Sequence, residues 1–88
     1  MTTTHEMRLV DTNGYTVPGA VRYQVPADQV AATRTTLLDL APADAADAKA
    51  LHLEHADSLH GVSADNQRAA ARRIRATDYR VQVTPPLA

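Results

Sequence analysis

The sequence predicts a small α+β domain: a three-stranded antiparallel meander, then three short helices, then a final strand. Three observations predict it. Two turn signals, Asn13-Gly14 and Pro18-Gly19, punctuate the N-terminal third. Apolar and polar residues alternate at Val21–Val25 and again at Tyr79–Val83, the period of a strand with one buried face. Between them lies an alanine-rich stretch with apolar residues at helical spacing, entered through Pro26 and re-entered through Pro42.

The elements follow in order. Met7-Arg-Leu-Val10 begins a strand. Asp11-Thr-Asn-Gly14 closes a hairpin, because Asn-Gly accepts the positive φ that a tight turn needs. Tyr15-Thr-Val17 returns, and Pro18-Gly19 is expected to turn the chain again. Val21, Tyr23 and Val25 then face one way, with Tyr23 the expected core anchor. Pro26 suits the first turn of a helix, where a missing N–H costs nothing. That helix runs to Ala41, with Val30, Leu37 and Leu38 on one face. A second helix starts at Pro42 and presents Leu51, His55, Leu59 and Val62 as its apolar side. Ser63 is the expected N-cap of a third helix reaching about Ala76, with Asp65 in its first turn. The last strand carries Tyr79, Val81 and Val83 and stops at Pro85-Pro86. The expected organisation is one domain over residues 1–88, with loose arms at 1–5 and 85–88.

Core material is scarce. Apolar residues make up 44% of the 88, but 17 of them are Ala, and Phe, Trp and Cys are absent. A chain of this length buries only about 60–65% of its unfolded surface. Without Cys there is neither a disulfide nor a thiolate–metal staple. Small cores of this kind are completed against other chains, so the expected partner is another protein or further copies of this one. The net charge of −1 is unevenly spread. Residues 28–65 hold seven acids against Arg34 and Lys49, and residues 66–88 hold five Arg against Asp78. The Ala and Arg bias is that of a GC-rich coding sequence, as in an actinobacterium or its phage. No segment resembles a signal peptide or a membrane span, so the expected location is cytoplasmic.

Asp57-Ser58-Leu59-His60-Gly61-Val62 resembles the attachment motif of phosphopantetheine carrier proteins. The resemblance implies a four-helix bundle with Ser58, at the start of its second helix, bearing the cofactor arm. It covers about ten residues, and His55 and Glu54 stand where that family has Gly and Leu. The same region is similar to a helix-turn-helix, with Gly61 at the turn and Asn66, Gln67 and Arg68 opening a recognition helix. Asp57, His60 and Gln67 occupy positions that this motif keeps small or apolar. The order of strands and helices is also similar to PqqD-like peptide-recognition domains, which take a peptide as an added strand. In that comparison Tyr23 stands before the first helix and Gly61-Val62-Ser63 before the third.

Arg68, Arg72 and Arg75 form an i, i+4, i+7 row on the third helix. Such a row meets an acidic protein face or a phosphate backbone, and the slightly acidic chain makes nucleic acid the poorer match. His52 and His55 have metal-ligand spacing, but no third ligand joins them at helical geometry. Nothing has the spacing of a catalytic triad or a phosphate loop. The sequence therefore reads as a non-enzymatic interaction or assembly module, acting as an oligomer or as a subunit of a larger complex, such as a phage structural or peptide-binding component. It needs no cofactor and no metal, and its expected contact residues are Arg68, Arg72, Arg75 and Tyr23. The alternatives are a carrier protein modified at Ser58 and a DNA-binding regulator.

Overall fold

The computed structural model describes residues 3–87. It contains β1 (Thr4–Val10), β2 (Thr16–Pro26), α1 (Val30–Leu38), α2 (Ala41–Asp57), α3 (Val62–Arg73) and β3 (Arg80–Thr84), with short 3-10 turns at Ala27–Gln29 and Ala76–Asp78. The strands form one antiparallel sheet in the order β2-β1-β3. The α+β class is as expected, but the meander is not.

Pro18-Gly19 does not reverse the chain. It lies inside β2, which runs unbroken for 11 residues. Val10 faces Thr16 and Arg8 faces Val21, so a step of two residues along β1 spans five along β2. Pro18 has no N–H to pair, and Gly19 adopts φ +78°. Together they absorb the excess as a bulge. A second irregularity follows, between the pairs Met7–Arg22 and His5–Val25. Gln24, at φ +54°, is the extra residue. It breaks the period-two pattern, so Val25 is buried while Tyr23 is 72% exposed. Tyr23 is not the core anchor that its alternation with Val21 and Val25 suggested.

The third strand comes instead from the C-terminal end. β3 pairs with the other side of β1, placing Val83 opposite Met7 and Val81 opposite Leu9. Met7 and Leu9 are fully buried in a cluster with Val25, Val30 and Leu37, so α1 covers this face. Glu6 and Arg8 point to the other face and form an ion pair. β1 already begins at Thr4, and buried His5 donates its Nδ1–H to the Pro85 carbonyl at 2.6 Å. Residues 4, 5 and 85 are thus part of the sheet end rather than of loose arms. Residues 1, 2 and 88 lie outside the described residues.

The hairpin turn matches the expectation from Asn13-Gly14. Asp11 Oδ1 accepts the N–H groups of Asn13 and Tyr15, both at 2.9 Å. Gly14 supplies φ +88° and donates to the Asp11 carbonyl.

The molecule is a rod of 58 × 18 × 18 Å with a radius of gyration of 16.2 Å. A compact chain of this length has a radius of gyration near about 12 Å. The elongation comes from α2 and α3, which pair as a helical hairpin and leave the turn end of the sheet as an arm. Their seam is built from alanines: Ala45 and Ala56 of α2, Ala64 and Ala71 of α3, all buried. The expected apolar side of the second helix does not form: Leu51 and His55 are exposed on α2, and Leu59 and Val62, also exposed, lie beyond its end at Asp57. The base of the arm sets the rotation of α2. α3 stops at Arg73 because Ile74 turns extended (φ −78°, ψ 121°) and buries its side chain in the core beside Tyr79. With Ile74, Ala41 and Ala45 committed there, the residues in phase with them along α2 are Ala48, His52 and Ala56. The larger residues fall on the flanks.

α3 is not capped by the expected Ser63 but starts two residues earlier, from Gly61. Gly61 adopts φ +61°, ψ −134°, a region that only glycine enters without strain. No atom lies within 4 Å of where its Cβ would stand. Gly61→Ala therefore tests backbone strain without a clash. It should lower stability by about 1–3 kcal/mol in urea denaturation, and an unchanged midpoint would show that the α2–α3 turn relaxes freely.

Candidate functional site

The arm is the feature that the sheet positions. Three contacts hold its base. The Tyr79 hydroxyl donates to Asp44 Oδ2 at 2.5 Å, tying the end of the second 3-10 turn to the first turn of α2. The Thr12 hydroxyl, in the β1–β2 turn, donates to the Arg75 carbonyl at 3.3 Å and accepts the Arg75 N–H at 3.4 Å. Ile74 and Tyr79 fill the space between the arm and the sheet. Burial raises the Tyr79 pKa strongly, and the hydrogen bond to Asp44 and the charges of Asp44 and Asp11 add to it. Halfway along the arm, His52 Nδ1–H donates to Gln67 Oε1 at 2.7 Å and pins α2 against α3.

One flank of the arm holds a groove of about 240 Å³ between the two helices. Leu53 and Ala71 form its floor, and Lys49, Arg68 and Arg72 stand around it. Leu53 is 48% exposed there. The structure thus brings together two of the three expected arginines and adds Lys49 and Leu53, which the sequence reading had not selected. Arg75 departs from the row. It lies beyond the end of α3 in extended backbone (φ −135°, ψ 128°), so the i, i+4, i+7 alignment ends at Arg72.

Tyr23 is far from these residues. It lines a shallow groove of about 430 Å³ between β2 and α1, with Arg22, Pro26, Gln29 and Thr33. β2 residue Pro26 pairs with Thr4, which places this groove at the end of the sheet opposite the arm. Arg68 and Arg72 therefore do not share a surface with Tyr23.

Ser58 lies at the free tip, as the C-cap of α2, and its hydroxyl donates back to the His55 carbonyl at 2.9 Å. The carrier resemblance implies a serine at a helix N-terminus, where the dipole favours a phosphate. Here it stands at the opposite pole. The α2–α3 pair also differs from a DNA-binding helix-turn-helix, whose helices cross at about 90–120°. These two run antiparallel along their length, from the His52–Gln67 bond at mid-arm to the Lys49–Arg72 groove nearer the base. Gln67 is turned toward α2 rather than outward. Among the described residues, no group of three metal-ligating side chains is gathered, and no helix is long and apolar enough to cross a membrane.

Comparison of the chain with protein-family models, with curated proteins and with solved structures finds no match.

The Tyr79–Asp44 bond carries a prediction for the arm's attachment. Tyr79→Phe leaves a half-buried carboxylate without its donor and should cost about 1–3 kcal/mol. The bond also has a pH signature. Because the folded hydroxyl holds its proton more tightly than the unfolded one, its contribution is complete below the ordinary tyrosine pKa of about 10 and is lost as pH rises above it. Urea midpoints taken from about pH 9 to pH 12 should fall more steeply for the native chain than for Tyr79→Phe. Parallel slopes would mean that the bond contributes nothing to folding.

Proposed function

We propose that this chain is a non-enzymatic interaction and assembly module that works as an oligomer through its helical arm. One observation carries the reading: the arm buries its small residues and exposes its large ones. Its seam is alanine, while Leu51 is 54%, Leu53 48% and Val62 74% exposed. A buried alanine methyl contributes on the order of 1 kcal/mol, against about 1.5–3 kcal/mol for a leucine side chain. The arm leaves its larger hydrophobic contribution unused in the single chain. Exposed apolar side chains rimmed by charge are what interaction surfaces present before their partner arrives.

The acidic-then-basic charge order supports the same reading, since it places both signs on one short arm. Arg68 and Arg72 are its contact residues, and Leu53 is the apolar centre between them. The chemistry needed is packing and ion pairing alone, with no cofactor.

Association makes both hydrodynamic size and melting temperature depend on concentration. Sedimentation over roughly 5 to 500 µM should show the sedimentation coefficient rising, and the melting temperature should rise over the same range. A monomer throughout, with a constant melting temperature, would refute self-assembly.

A further inference from the structure

The flank of the arm that holds Leu53 is charged in a self-complementary way. On α2, Lys49, Leu53 and Asp57 follow at intervals of four, and at 100° per residue each is only about 40° further round than the last. They form one ridge with a cation toward the base, a leucine in the middle and an acid toward the tip. On α3, which runs the other way, Asp65, Arg68 and Arg72 recur at i, i+3 and i+7 and line the same side. Arg72 shares the groove with Lys49, and Asp65 lies near the tip, one turn from Gly61. The face is therefore basic at its base (Lys49, Arg72), has Leu53 and the Asp65-paired Arg68 at its centre, and is acidic at its tip (Asp57, Asp65).

Among the described residues, the only ion pair on this face is Arg68–Asp65, at 3.3 Å and exposed. Among the described residues, Lys49, Arg72 and Asp57 have no partner of opposite charge within 4 Å. All six charged or leucine side chains on the face are exposed.

We propose that this face binds a second copy of itself, in antiparallel orientation about a two-fold axis near Leu53. The inference rests on the assembly reading above and names its surface and partner. Two-fold symmetry requires the patch to complement itself, each contact occurring twice. A face with one sign at each end meets that requirement only when the two copies run antiparallel. Lys49 and Arg72 of one copy then stand opposite Asp57 and Asp65 of the other, and the two Leu53 side chains meet at the centre. Two helical hairpins joined this way make a four-helix bundle, with the apolar groove filled from the other side.

The arm is short. Its 17-residue helix α2 is about 25 Å long, so the contact lies at the small end of stable interfaces. The dimer should be weak and salt-sensitive, because its outer contacts are exposed charges.

Two charge-reversed chains test the inference. Lys49→Glu with Arg72→Glu leaves Arg68, already paired with Asp65, as the one cation on the face. Asp57→Lys with Asp65→Lys makes the face basic throughout. Circular dichroism and thermal melts establish that each variant folds before association is measured. Sedimentation at high concentration should show each variant alone as a monomer, and their equimolar mixture as a one-to-one heterodimer tighter than the native dimer. Leu53→Asp should be monomeric in every combination. If the native chain associates and either double variant associates equally well alone, this surface is wrong and assembly uses another face. If the variants are monomeric and their mixture is too, the antiparallel pairing is wrong. A native chain that stays monomeric removes both this inference and the assembly reading beneath it.

Discussion

The alanine seam between α2 and α3 is the constraint on which the rest of the structure depends. Ala45, Ala56, Ala64 and Ala71 carry no bulk, so the two helices approach closely along their length. Close approach leaves no room for leucine between them. Leu51 and Leu53 are thereby pushed to opposite flanks of α2, about 160° apart at 100° per residue. A seam of leucines would have made a self-sufficient hairpin with a polar surface. A seam of alanines makes a thin two-helix layer with apolar residues left over, and that surplus is what the proposed assembly would bury.

The sheet supplies what the seam lacks. β1 is the central strand, and its residues Met7 and Leu9 anchor the cluster of large buried side chains. The arm is attached to that cluster at its base through Ile74 and Tyr79, and to the β1–β2 turn through Thr12. Stability therefore falls along the rod, from a packed sheet to an arm held by methyl groups, one His52–Gln67 bond and a glycine turn. The proposed association would add apolar burial where the single chain has least of it.

How much of this was legible in the sequence differs from element to element. The Asn13-Gly14 turn, the helix starting near Pro42 and the final strand at Tyr79–Val83 were, because local chemistry decides them. The Pro18-Gly19 bulge was not, since the same two residues serve a turn or a bulge, and only the pairing with β1 selects between them. Tyr23 was misplaced for a related reason: one extra residue, Gln24, reverses the facing of the strand, and nothing in the alternation of Val21, Tyr23 and Val25 announces it. Leu51 was expected inward from its helical spacing with His55, Leu59 and Val62. The tertiary demand of Ile74 for the core rotated the helix instead. For the site, Arg68 and Arg72 were visible as a helical row, but Arg75 fell outside because α3 ends at Arg73. Lys49 and Leu53 show the same four-residue spacing in the sequence. Which side of α2 faces outward becomes known only once the alanines are seen to take the seam.

Hydrogen exchange resolved by residue tests the central claim, that an arm sealed by alanines is completed by a partner copy, because it reads sheet and arm separately. In dilute solution the amides of α2 and α3 should exchange much faster than those of β1. On raising the concentration about 100-fold, protection should increase in the helical arm, most around Leu53 and Arg68, while β1 stays unchanged. An arm already as protected as β1 in dilute solution, or one whose protection does not change with concentration, would contradict the account.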